Sequence, residues 1–531
     1  MIIGLTFAFA GCNSGGKPTC SEAAQQKVNE YQLVTLTTDF SLLSEKERQI
    51  IPILMDAAKI MDDLFWTQAF GDKKLLDTIA DPCLKQFAMI HYGPWDRLNN
   101  MQPFVEGYSS KPLGANFYPH DMTKEEFEAL DHPDKTGLYT LIQRDEEGKL
   151  KVVWYKDFYK EQLDKAIDLM QQAADLAEDT GLKNYLTLRI KAMQTDDYFD
   201  SDMAWMDMKD SRIDFIVGPI ENYEDRLFGY KAAYEAFILV KDEKWSNDLH
   251  KFTKMLPELQ RELPCDPRFK REVPGTDSDM NVYDAIYYAG DCNAGSKTIA
   301  INLPNDERVH LLKGSRRLQL KNSMKAKFDI ILKPLAALIV EEAQLDNVKF
   351  EAFFSNVTFH EVAHGLGIKN TVNNKGSIRQ ALKEQYSPWE EAKADILGLF
   401  MVQRLIEKGE ITDCSVEDAY VTFIAGILRS VRFGAASAHG KANIMTYNFF
   451  EDKGAFTRNA DGRYHIDMEK AKAAMAEWAT LILRIQGEGD YNFAAKYNQE
   501  NSAVRPALQA DLEKIRNANI PRDIRFEQGI E

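Results

Sequence analysis

The sequence is poor in cysteine and in long apolar runs, and each shortage excludes a class of protein. Its six cysteines are scattered over 531 residues, and no two have the C-x-x-C spacing, which excludes a cysteine zinc cluster and a dithiol redox motif. A disulfide scaffold is not indicated at this length. Beyond the amino terminus no segment reaches 18 consecutive apolar residues, so we expect the remainder of the chain to be soluble.

Basic residues are outnumbered, since 65 lysines and arginines face 82 aspartates and glutamates and leave a net charge of -17. This balance argues against nucleic acid as a partner. A content of 28% charged and 11% aromatic residues excludes a disordered or fibrous chain. The length exceeds what one buried core needs, which predicts two lobes or more.

The amino terminus resembles an export signal. Residues 2–11 are apolar and end at Cys12, in a stretch too short to span a bilayer. Residues 9–12 are similar to a bacterial lipoprotein cleavage box that would leave Cys12 lipidated, although no lysine or arginine precedes the apolar run. We expect residues 1–20 to be a signal peptide and lipid-anchor linker, and Cys12 to be the sole membrane contact of a periplasmic or surface lipoprotein of a bacterial cell envelope. Ordinary signal-peptidase cleavage, giving a secreted protein, is the alternative.

Hydrophobic periodicity predicts an α+β chain in which helices predominate. A capping box begins at Ser44, and apolar residues follow it at helical spacing. Segments rich in β-formers and bounded by Gly, Pro or Asn predict strands at 213–220, 282–289 and 298–303. After about residue 325 the pattern is helical to the end.

The first candidate for chemistry is the run His360-Glu361-Val362-Ala363-His364. On a helix, residues i and i+4 share one face, so both imidazoles can hold one metal ion, while Glu361 can act as a general base toward water. This is the H-E-x-x-H arrangement of zinc hydrolases. The alternative is a pair of core histidines whose ring nitrogens are satisfied by backbone carbonyls.

The position of the third ligand distinguishes two classes of zinc hydrolase. A metzincin would continue to a third histidine, but Asn370 occupies that position, and asparagine is a poor zinc ligand. The other source is a following helix, which Ser387 predicts as its N-cap. That helix presents Glu391 as a metal ligand and Asp395, four residues on, as a hydrogen-bond acceptor for a ligand imidazole. A solvated helix face is the alternative for both carboxylates.

With these motifs in place, the sequence resembles the dipeptidyl peptidase III-like zinc metallopeptidases. Residues 390–395 (Glu-Glu-Ala-Lys-Ala-Asp) are similar to the family's Glu-Glu-Cys-Arg-Ala-Glu/Asp motif, in which the second Glu binds the metal. Residues 218–225 (Gly-Pro-Ile-Glu-Asn-Tyr-Glu-Asp) resemble its Gly-Phe-Ile-Glu-Ser-Tyr-Arg-Asp segment, and residues 301–305 resemble its Ile-Asn-Ile-Pro-Asn segment. His439 follows an alanine, as in the family's Ala-His pair on a later helix.

The resemblance implies roles for residues outside the metal site. Tyr223 and His439 would stabilise the oxyanion, with a core aromatic and a structural histidine as the respective alternatives. Glu221, Asn302 and Asn305 would bind the free ammonium group of a peptide, although both asparagines also suit turns. One Zn²⁺ per chain is the implied cofactor.

The resemblance also implies a two-lobed fold, with a cleft between a helical zinc lobe and a mixed lobe that contains a small β-barrel or sheet. We expect the mixed, substrate-binding lobe over most of 21–325, with assignment of part of 240–285 to the other lobe as the alternative. The zinc-binding lobe is expected over 326–500, and a tail over 501–531 returns to the first lobe. Such a cleft limits substrates to short peptides and would close on binding.

The sequence departs from the family in two places. Gly365 follows His364 in a five-residue motif, where many members carry the six-residue form His-Glu-x-x-Gly-His. Ala392 and Lys393 stand where the family has Cys and Arg. These changes retain the metal ligands, but we expect them to affect the substrate range and the catalytic rate.

Taken together, the motifs predict a zinc-dependent exopeptidase that releases dipeptides from the amino terminus of short peptides. The alternative from another class is a non-catalytic, zinc-containing, peptide-binding envelope lipoprotein, against which the intact Glu361 argues, since a binder has no need of a general base. An endopeptidase of metzincin type is disfavoured by Asn370.

Overall fold

A computed structural model describes residues 19–274, 279–435 and 437–529. Within these ranges no helix combines the length and the apolar character needed to cross a membrane. Cys12 and most of the expected signal segment lie outside the described residues, so lipidation stays a prediction.

Helices and short strands precede and flank a central sheet in the first part of the chain. The helices are α1 (Glu22–Asn29), α2 (Glu45–Ala69), α3 (Pro82–His91), α4 (Lys124–Ala129), α5 (Tyr155–Phe158), α6 (Lys160–Leu176), α7 (Thr180–Thr195), α8 (Phe199–Asp207), α9 (Glu243–Thr253), α10 (Leu256–Glu262) and α11 (Glu307–Lys313). The short strands are β1 (Tyr31–Thr35), β2 (Trp95–Asp96), β3 (Gln102–Pro103), β4 (Thr140–Arg144) and β5 (Leu150–Trp154). The capping box expected at Ser44 is confirmed, because Ser44 and Glu47 each accept the other's backbone N–H at the start of α2.

A five-stranded mixed sheet forms the centre of this part. Its strands are β6 (Ile213–Glu221), β7 (Ala233–Lys241), β8 (Asp279–Gly290), β9 (Ala300–Leu303) and β10 (Arg316–Leu320). The order is β6-β7-β8-β10-β9, with β10 parallel to β8 and the other pairs antiparallel. The three strands expected from the sequence are thus confirmed as β6, β8 and β9. The edges approach at their ends, where Asn305 Nδ2 donates to Ile220 O over 3.2 Å, so the sheet curls toward a barrel.

Helices make up most of the chain after β10, as the sequence predicts. They are α12 (Lys321–Lys327), α13 (Lys333–Ile339), α14 (Phe350–Ala363), α15 (Ile378–Leu382), α16 (Tyr386–Glu407), α17 (Val416–Val431), α18 (Ala438–Asp452), α19 (Met468–Glu488), α20 (Tyr491–Asn501) and α21 (Pro506–Asn517). A hairpin of β11 (Phe456–Arg458) and β12 (Tyr464–Ile466) separates α18 from α19, and β13 (Asp523–Glu527) pairs in parallel with β1. The fold class is therefore α+β and mostly helical, with a mixed five-stranded sheet.

Buried apolar side chains form two large cores. In the sheet core, α2 and α7 pack against the sheet and α6 packs on both of these helices. The helical core gathers α14, α16, α17, α18 and α19, and it also contains Leu249, Phe252 and Leu259 from α9 and α10. Helices α9 and α10 therefore pack with the C-terminal helices although they precede β8 in the sequence.

A disulfide that the cysteine spacing does not indicate joins Cys20 to Cys83 across 63 residues of chain. It ties the segment before α1 to the first turn of α3, where Ser21 also donates to Asp81. Closing a loop of this length restricts the unfolded chain and contributes about 4 kcal/mol of stability in the chain-entropy account.

Helices α14 and α16 are in close backbone contact at Gly398. A Cβ atom built at this position would lie 2.9 Å from His360 N and 3.0 Å from the carbonyl carbon of Phe359. Both distances are shorter than a van der Waals contact, so an alanine here forces the helices apart. Glycine is therefore the residue that lets the two backbones pack at the level of His360.

The close approach predicts the effect of Gly398→Ala. The added methyl group must push α16 away from α14, which should lower the free energy of unfolding by about 1–3 kcal/mol. Since the shift also moves Glu391 relative to His360, zinc affinity should fall with stability. Urea denaturation and a zinc competition titration would measure the two effects.

Gly426→Ala is the matched control, because Gly426 lies inside α17 and a Cβ there meets nothing within 4 Å. This variant should be unchanged or more stable by up to about 1 kcal/mol. An equal loss of stability in both variants would contradict the close-contact account.

Candidate metal centre

Two imidazoles come from the carboxyl end of α14. His360 lies in the last turn, and His364 follows the final residue of the helix. Their ring centroids are 5.0 Å apart and the rings are perpendicular. Phe353 and Phe359 on the same helix are buried in the helical core, so the helix that carries both rings is held by that core.

Glu391 on α16 brings a carboxylate between the imidazoles. Its Oε2 lies 3.4 Å from His360 Nε2 and 3.8 Å from His364 Nε2. The ligand atoms of the three residues all lie within 4.8 Å of one another. Two imidazole nitrogens and one carboxylate oxygen form a ligand set of catalytic zinc sites, which leave a fourth position open.

The start of α16 differs from the expectation. The helix begins at Tyr386 with Gln385 as its N-cap, so the predicted N-cap at Ser387 is wrong. A 3-10 turn over Lys383–Gln385 runs directly into the helix, which places Ser387 inside the first turn. Pro388 is tolerated there because the first turn has no intrahelical acceptor for its missing N–H.

The chemistry of the three ligand side chains is suited to a zinc ion. Glu391 Oε2 is buried and has no hydrogen-bond partner among the described residues, although imidazole Nε2 atoms lie within 3.8 Å of it. An orphaned buried carboxylate oxygen is costly unless a cation satisfies it. Burial works to raise the pKa of Glu391, but the imidazoles, His360 foremost, hold it below its ordinary value. The carboxylate is therefore ionised, as a metal ligand must be.

Asp395 orients the first imidazole. Its Oδ1 lies 2.6 Å from His360 Nδ1. This contact keeps a proton on Nδ1 and leaves the Nε2 lone pair toward Glu391. Burial lowers the pKa of His360, but the carboxylates around it, Asp395 foremost with Glu391 and Glu361, together raise that pKa well above its ordinary value. A more basic imidazole is a stronger ligand.

Glu390 orients the second imidazole, a role that the sequence analysis did not predict. Its Oε1 lies 3.1 Å from His364 Nδ1 and 2.7 Å from Lys393 Nζ, and Gln486 donates to its Oε2. Burial works to raise the pKa of Glu390, but Lys393 and His364 hold it at about 2. The sequence feature that could have predicted this role is the spacing of Glu390 and Lys393, which are three residues apart on a buried helix and can therefore form an ion pair.

His439 joins the cluster from the first turn of α18. Its Nε2 lies 3.1 Å from Glu391 Oε2, and its ring is nearly parallel to that of His360, with centroids 6.1 Å apart. The side chain is 64% exposed, so it borders solvent at the opening of the site. An imidazole in this position can donate to an oxygen atom that gains charge beside the ligands.

Glu361 lies on the side of α14 that approaches the sheet. Burial lowers the pKa of Arg317 on β10, and the Glu361 carboxylate opposes that shift. Arg317 in turn pairs in register with Asn302 on β9. Glu361 is therefore within electrostatic range of the strand that pairs with β9, where the Asn302 side chain is exposed. The sequence reasoning did not single out Arg317.

Glu221, Tyr223 and Asn305 gather at the end of β6. Burial raises the pKa of Glu221, and a hydrogen bond from the Asn305 side chain opposes that shift. Tyr223 is 78% exposed, and the nearby Glu221 carboxylate raises the pKa of its hydroxyl. Among the described residues no hydrogen bond or ion pair joins this group to the metal cluster. The two groups belong to different cores.

Two buried carboxylates hold the segment that presents Tyr223. Glu224 pairs with Arg97 at 2.7 Å and with Lys111. Asp225 accepts four backbone N–H groups from residues 227–231 and the Tyr118 hydroxyl. Because both carboxylates are anchored inward, the backbone is fixed and the Tyr223 ring is left facing outward.

Comparison with known proteins identifies the family. The model of Peptidase family M49 matches residues 131–397, about half of the chain. The chain belongs to peptidase family M49. This M49 chain is 34% identical to Nudix hydrolase 3 of Arabidopsis thaliana over an alignment of 571 residues, which covers 95% of this chain and 73% of that protein. M49 peptidases use zinc, in agreement with the ligand set above.

Solved structures agree with the M49 assignment. The fold is similar to that of DPP III from Caldithrix abyssi, with a TM-score of 0.90 and 38% identity over 94% of this chain and 98% of that one. It is also similar to dipeptidyl-peptidase III from Corallococcus sp. strain EGB, with a TM-score of 0.79 and 37% identity over 95% of this chain and 96% of that one. The protein is therefore a peptidase with a DPP III-like fold.

The Asp395–His360 contact predicts how Asp395→Asn behaves. The amide keeps the shape of the side chain but loses the charge that orients His360 and raises its basicity. Zinc affinity should fall by about 10–100-fold, as measured by competition with a chromophoric chelator.

Asp168→Asn, on an exposed position of α6, makes the same chemical change far from the ligands and should leave zinc affinity unaltered. If both variants bind zinc as tightly as the parent, Asp395 does not orient a metal ligand.

Proposed function

We propose that this M49 member is a zinc-dependent dipeptidyl peptidase that releases dipeptides from the amino terminus of short peptides. The observation that carries the proposal is the convergence of His360, His364 and Glu391, in which a buried carboxylate oxygen without a hydrogen-bond donor lies among imidazole Nε2 atoms. The likeness to two bacterial DPP III structures supports the exopeptidase class.

The ligands and their neighbours divide the chemistry among them. A zinc ion held by the three ligands would supply a Lewis acid for a peptide carbonyl and for water. Glu361, next to His360 in the chain, would accept the proton of the attacking water and pass it to the leaving amine. His439 and Tyr223 would each donate a hydrogen bond to the former carbonyl oxygen as negative charge develops on it.

Recognition of the free amine explains why cleavage would release a fixed length. Glu221 is a partly buried carboxylate, and burial strengthens its attraction for an ammonium group. Asn305 contacts it, and Asn302 on β9 lies three residues before Asn305, so both amides would accept from the same ammonium group. When the amine is bound there, the distance between these residues and the metal ligands determines which peptide bond of the substrate is cleaved.

A two-lobed arrangement with a cleft accommodates both groups. The two cores support assigning 326–500 to the zinc lobe and most of 21–325 to the substrate lobe. Leu249, Phe252 and Leu259 pack in the helical core, which favours placing that part of 240–285 with the zinc lobe. Leu508 and Ile515 of α21 pack there as well. Within 501–531 we therefore assign only β13, which pairs with β1, to the first lobe.

The bacterial cell envelope is the proposed location. The Cys20–Cys83 disulfide supports it, because disulfides persist in oxidising compartments such as the periplasm and the cell surface. A lipid anchor at Cys12 would place the folded domains within a short tether of the membrane.

Glu361→Gln tests the peptidase. Glutamine keeps the size of the side chain and is not a proposed metal ligand, so zinc should stay bound while dipeptide release from a defined hexapeptide falls by about 100-fold or more. Mass spectrometry of the digest and metal analysis of the protein would measure the two results.

Glu351→Gln, in the first turn of the same helix, is the matched control and should retain activity. The N-acetylated hexapeptide should resist cleavage. Internal cleavage of that blocked peptide would indicate an endopeptidase, and zinc binding without cleavage of any peptide would indicate a binding protein; either result overturns the proposal.

Cys12→Ala tests the anchor. Without a lipidated residue 12, the protein should move from the membrane pellet to the soluble envelope fraction, and incorporation of labelled palmitate should be lost. Cys20→Ala removes a different cysteine and should leave membrane association intact. A parent protein found wholly in the medium would instead support secretion.

A further inference from the structure

A cavity of about 300 Å³ lies beside the sheet, and none of the proposed metal ligands, the general base or the oxyanion donors lines it. Helices α7 and α8, strand β6 and the segment after β9 enclose it. Its wall includes aromatic and apolar side chains, with Tyr139, Tyr185, Trp205, Ile216 and Leu303 among them, and also two arginines and five carboxylates. A volume of this size accommodates a molecule as large as an amino acid or a small dipeptide.

Three buried polar atoms in residues of this wall have no hydrogen-bond partner among the described residues. They are Arg189 Nε, Tyr198 Oη and Asp196 Oδ1. The three residues are 7%, 3% and 5% exposed, respectively. A buried polar atom without a partner costs about 1–3 kcal/mol, and three around one cavity point to an occupant that satisfies them.

The rest of the structure holds these side chains in place. Arg189 pairs with Asp202 at 2.5 Å and lies against the rings of Tyr185 and Tyr198. Asp196 accepts the Lys156 N–H with its other oxygen. The donors and acceptors are therefore fixed before any ligand binds, which lowers the entropy cost of binding.

The unpartnered atoms are complementary in chemistry. An arginine Nε–H and a tyrosine O–H are donors suited to a carboxylate. Asp196 is suited to a cation, and burial raises its pKa to about 7, so a bound ammonium group would favour its ionised form. The wall thus includes donors for an anion and an acceptor for a cation, and these lie close together, since burial and the Asp196 carboxylate both raise the pKa of Tyr198.

We infer that this cavity binds a small zwitterion with a free ammonium and a free carboxylate group, an α-amino acid or a dipeptide. Its carboxylate would accept from Arg189 and Tyr198, and its ammonium group would donate to Asp196. An apolar side chain would pack between Tyr139 and Ile216. Asn305 and Ile220 also line the cavity, so the site adjoins the residues proposed to bind the substrate amine without including Glu221.

Direct binding measurements test the inference without requiring peptidase activity. L-phenylalanine and the dipeptide Phe-Leu would be titrated into the full chain by calorimetry, with thermal unfolding as a second readout. Saturable binding and a rise in Tm are expected for one of them. N-acetyl-L-phenylalanine and L-phenylalanine amide each lack one charge and should bind at least about tenfold more weakly. No saturable binding of either zwitterion, or equal binding of the blocked compounds, would overturn the inference.

Tyr198→Phe separates ligand binding from folding. It removes a hydroxyl that has no partner among the described residues, so Tm should not fall, while affinity for the zwitterion should drop by about fivefold. Tyr155→Phe is the matched control: the buried Tyr155 hydroxyl already donates to Ala232 O over 2.9 Å and Tyr155 does not line the cavity, so Tm should fall and ligand affinity should persist.

Asp196→Asn tests the proposed contact between Asp196 and the ammonium group of the ligand. Asp196 caps α7 in the left-handed region at φ 57°, which asparagine also adopts, so the fold should be retained while affinity falls at least about tenfold. Tighter binding of Phe-Leu than of phenylalanine would identify a dipeptide as the occupant, and the reverse order would identify a free amino acid. Binding that survives both Tyr198→Phe and Asp196→Asn lies elsewhere and overturns the assignment.

Discussion

The contact between α14 and α16 across Gly398 is the constraint on which the metal centre depends. His360 and His364 are fixed to one helix and Glu391 to the other, so the separation of the two backbones sets the distances between carboxylate and imidazoles. Both helices are anchored in the same core, where Trp389 is fully buried on α16. Ligands held on two packed helices keep their geometry better than ligands on loops, because each rotamer is supported along the whole helix.

Charge around the imidazoles makes the site receptive to a cation. Each Nδ1 faces a carboxylate, Asp395 for His360 and Glu390 for His364, so each Nε2 is left to bind. Lys393 offsets the charge of Glu390 from within the core, while Glu391 keeps an oxygen without a donor. In the family motif arginine stands at the position of Lys393. A lysine here still reaches Glu390, so the departure alters the shape of the support and leaves the charge in place.

The sequence was most informative where one helix carries the whole pattern. The H-E-x-x-H spacing and the Glu391–Asp395 spacing follow from helical periodicity alone, and strands β6, β8 and β9 follow from local composition. The N-cap at Ser387 was mispredicted because a 3-10 turn leads directly into α16 and the helix begins at Tyr386. Local sequence preferences alone do not distinguish between these two helix starts. The Cys20–Cys83 disulfide and the packing of α9 with later helices depend on contacts between distant segments, which spacing does not reveal.

The segment that contains Tyr223 shows that a sequence motif can identify a functional residue without predicting the contacts that hold it in place. The resembling family segment carries arginine at the position of Glu224, where this chain has the opposite charge. Here Arg97 and Lys111, more than 100 residues earlier, supply the compensating cations to a buried carboxylate. Leaving such a carboxylate unpaired costs several kcal/mol, so the inversion at 224 is tolerated only with these partners. The exposed Tyr223 is thus held by a charge network that involves distant segments of the chain, even though its local sequence resembles the family segment.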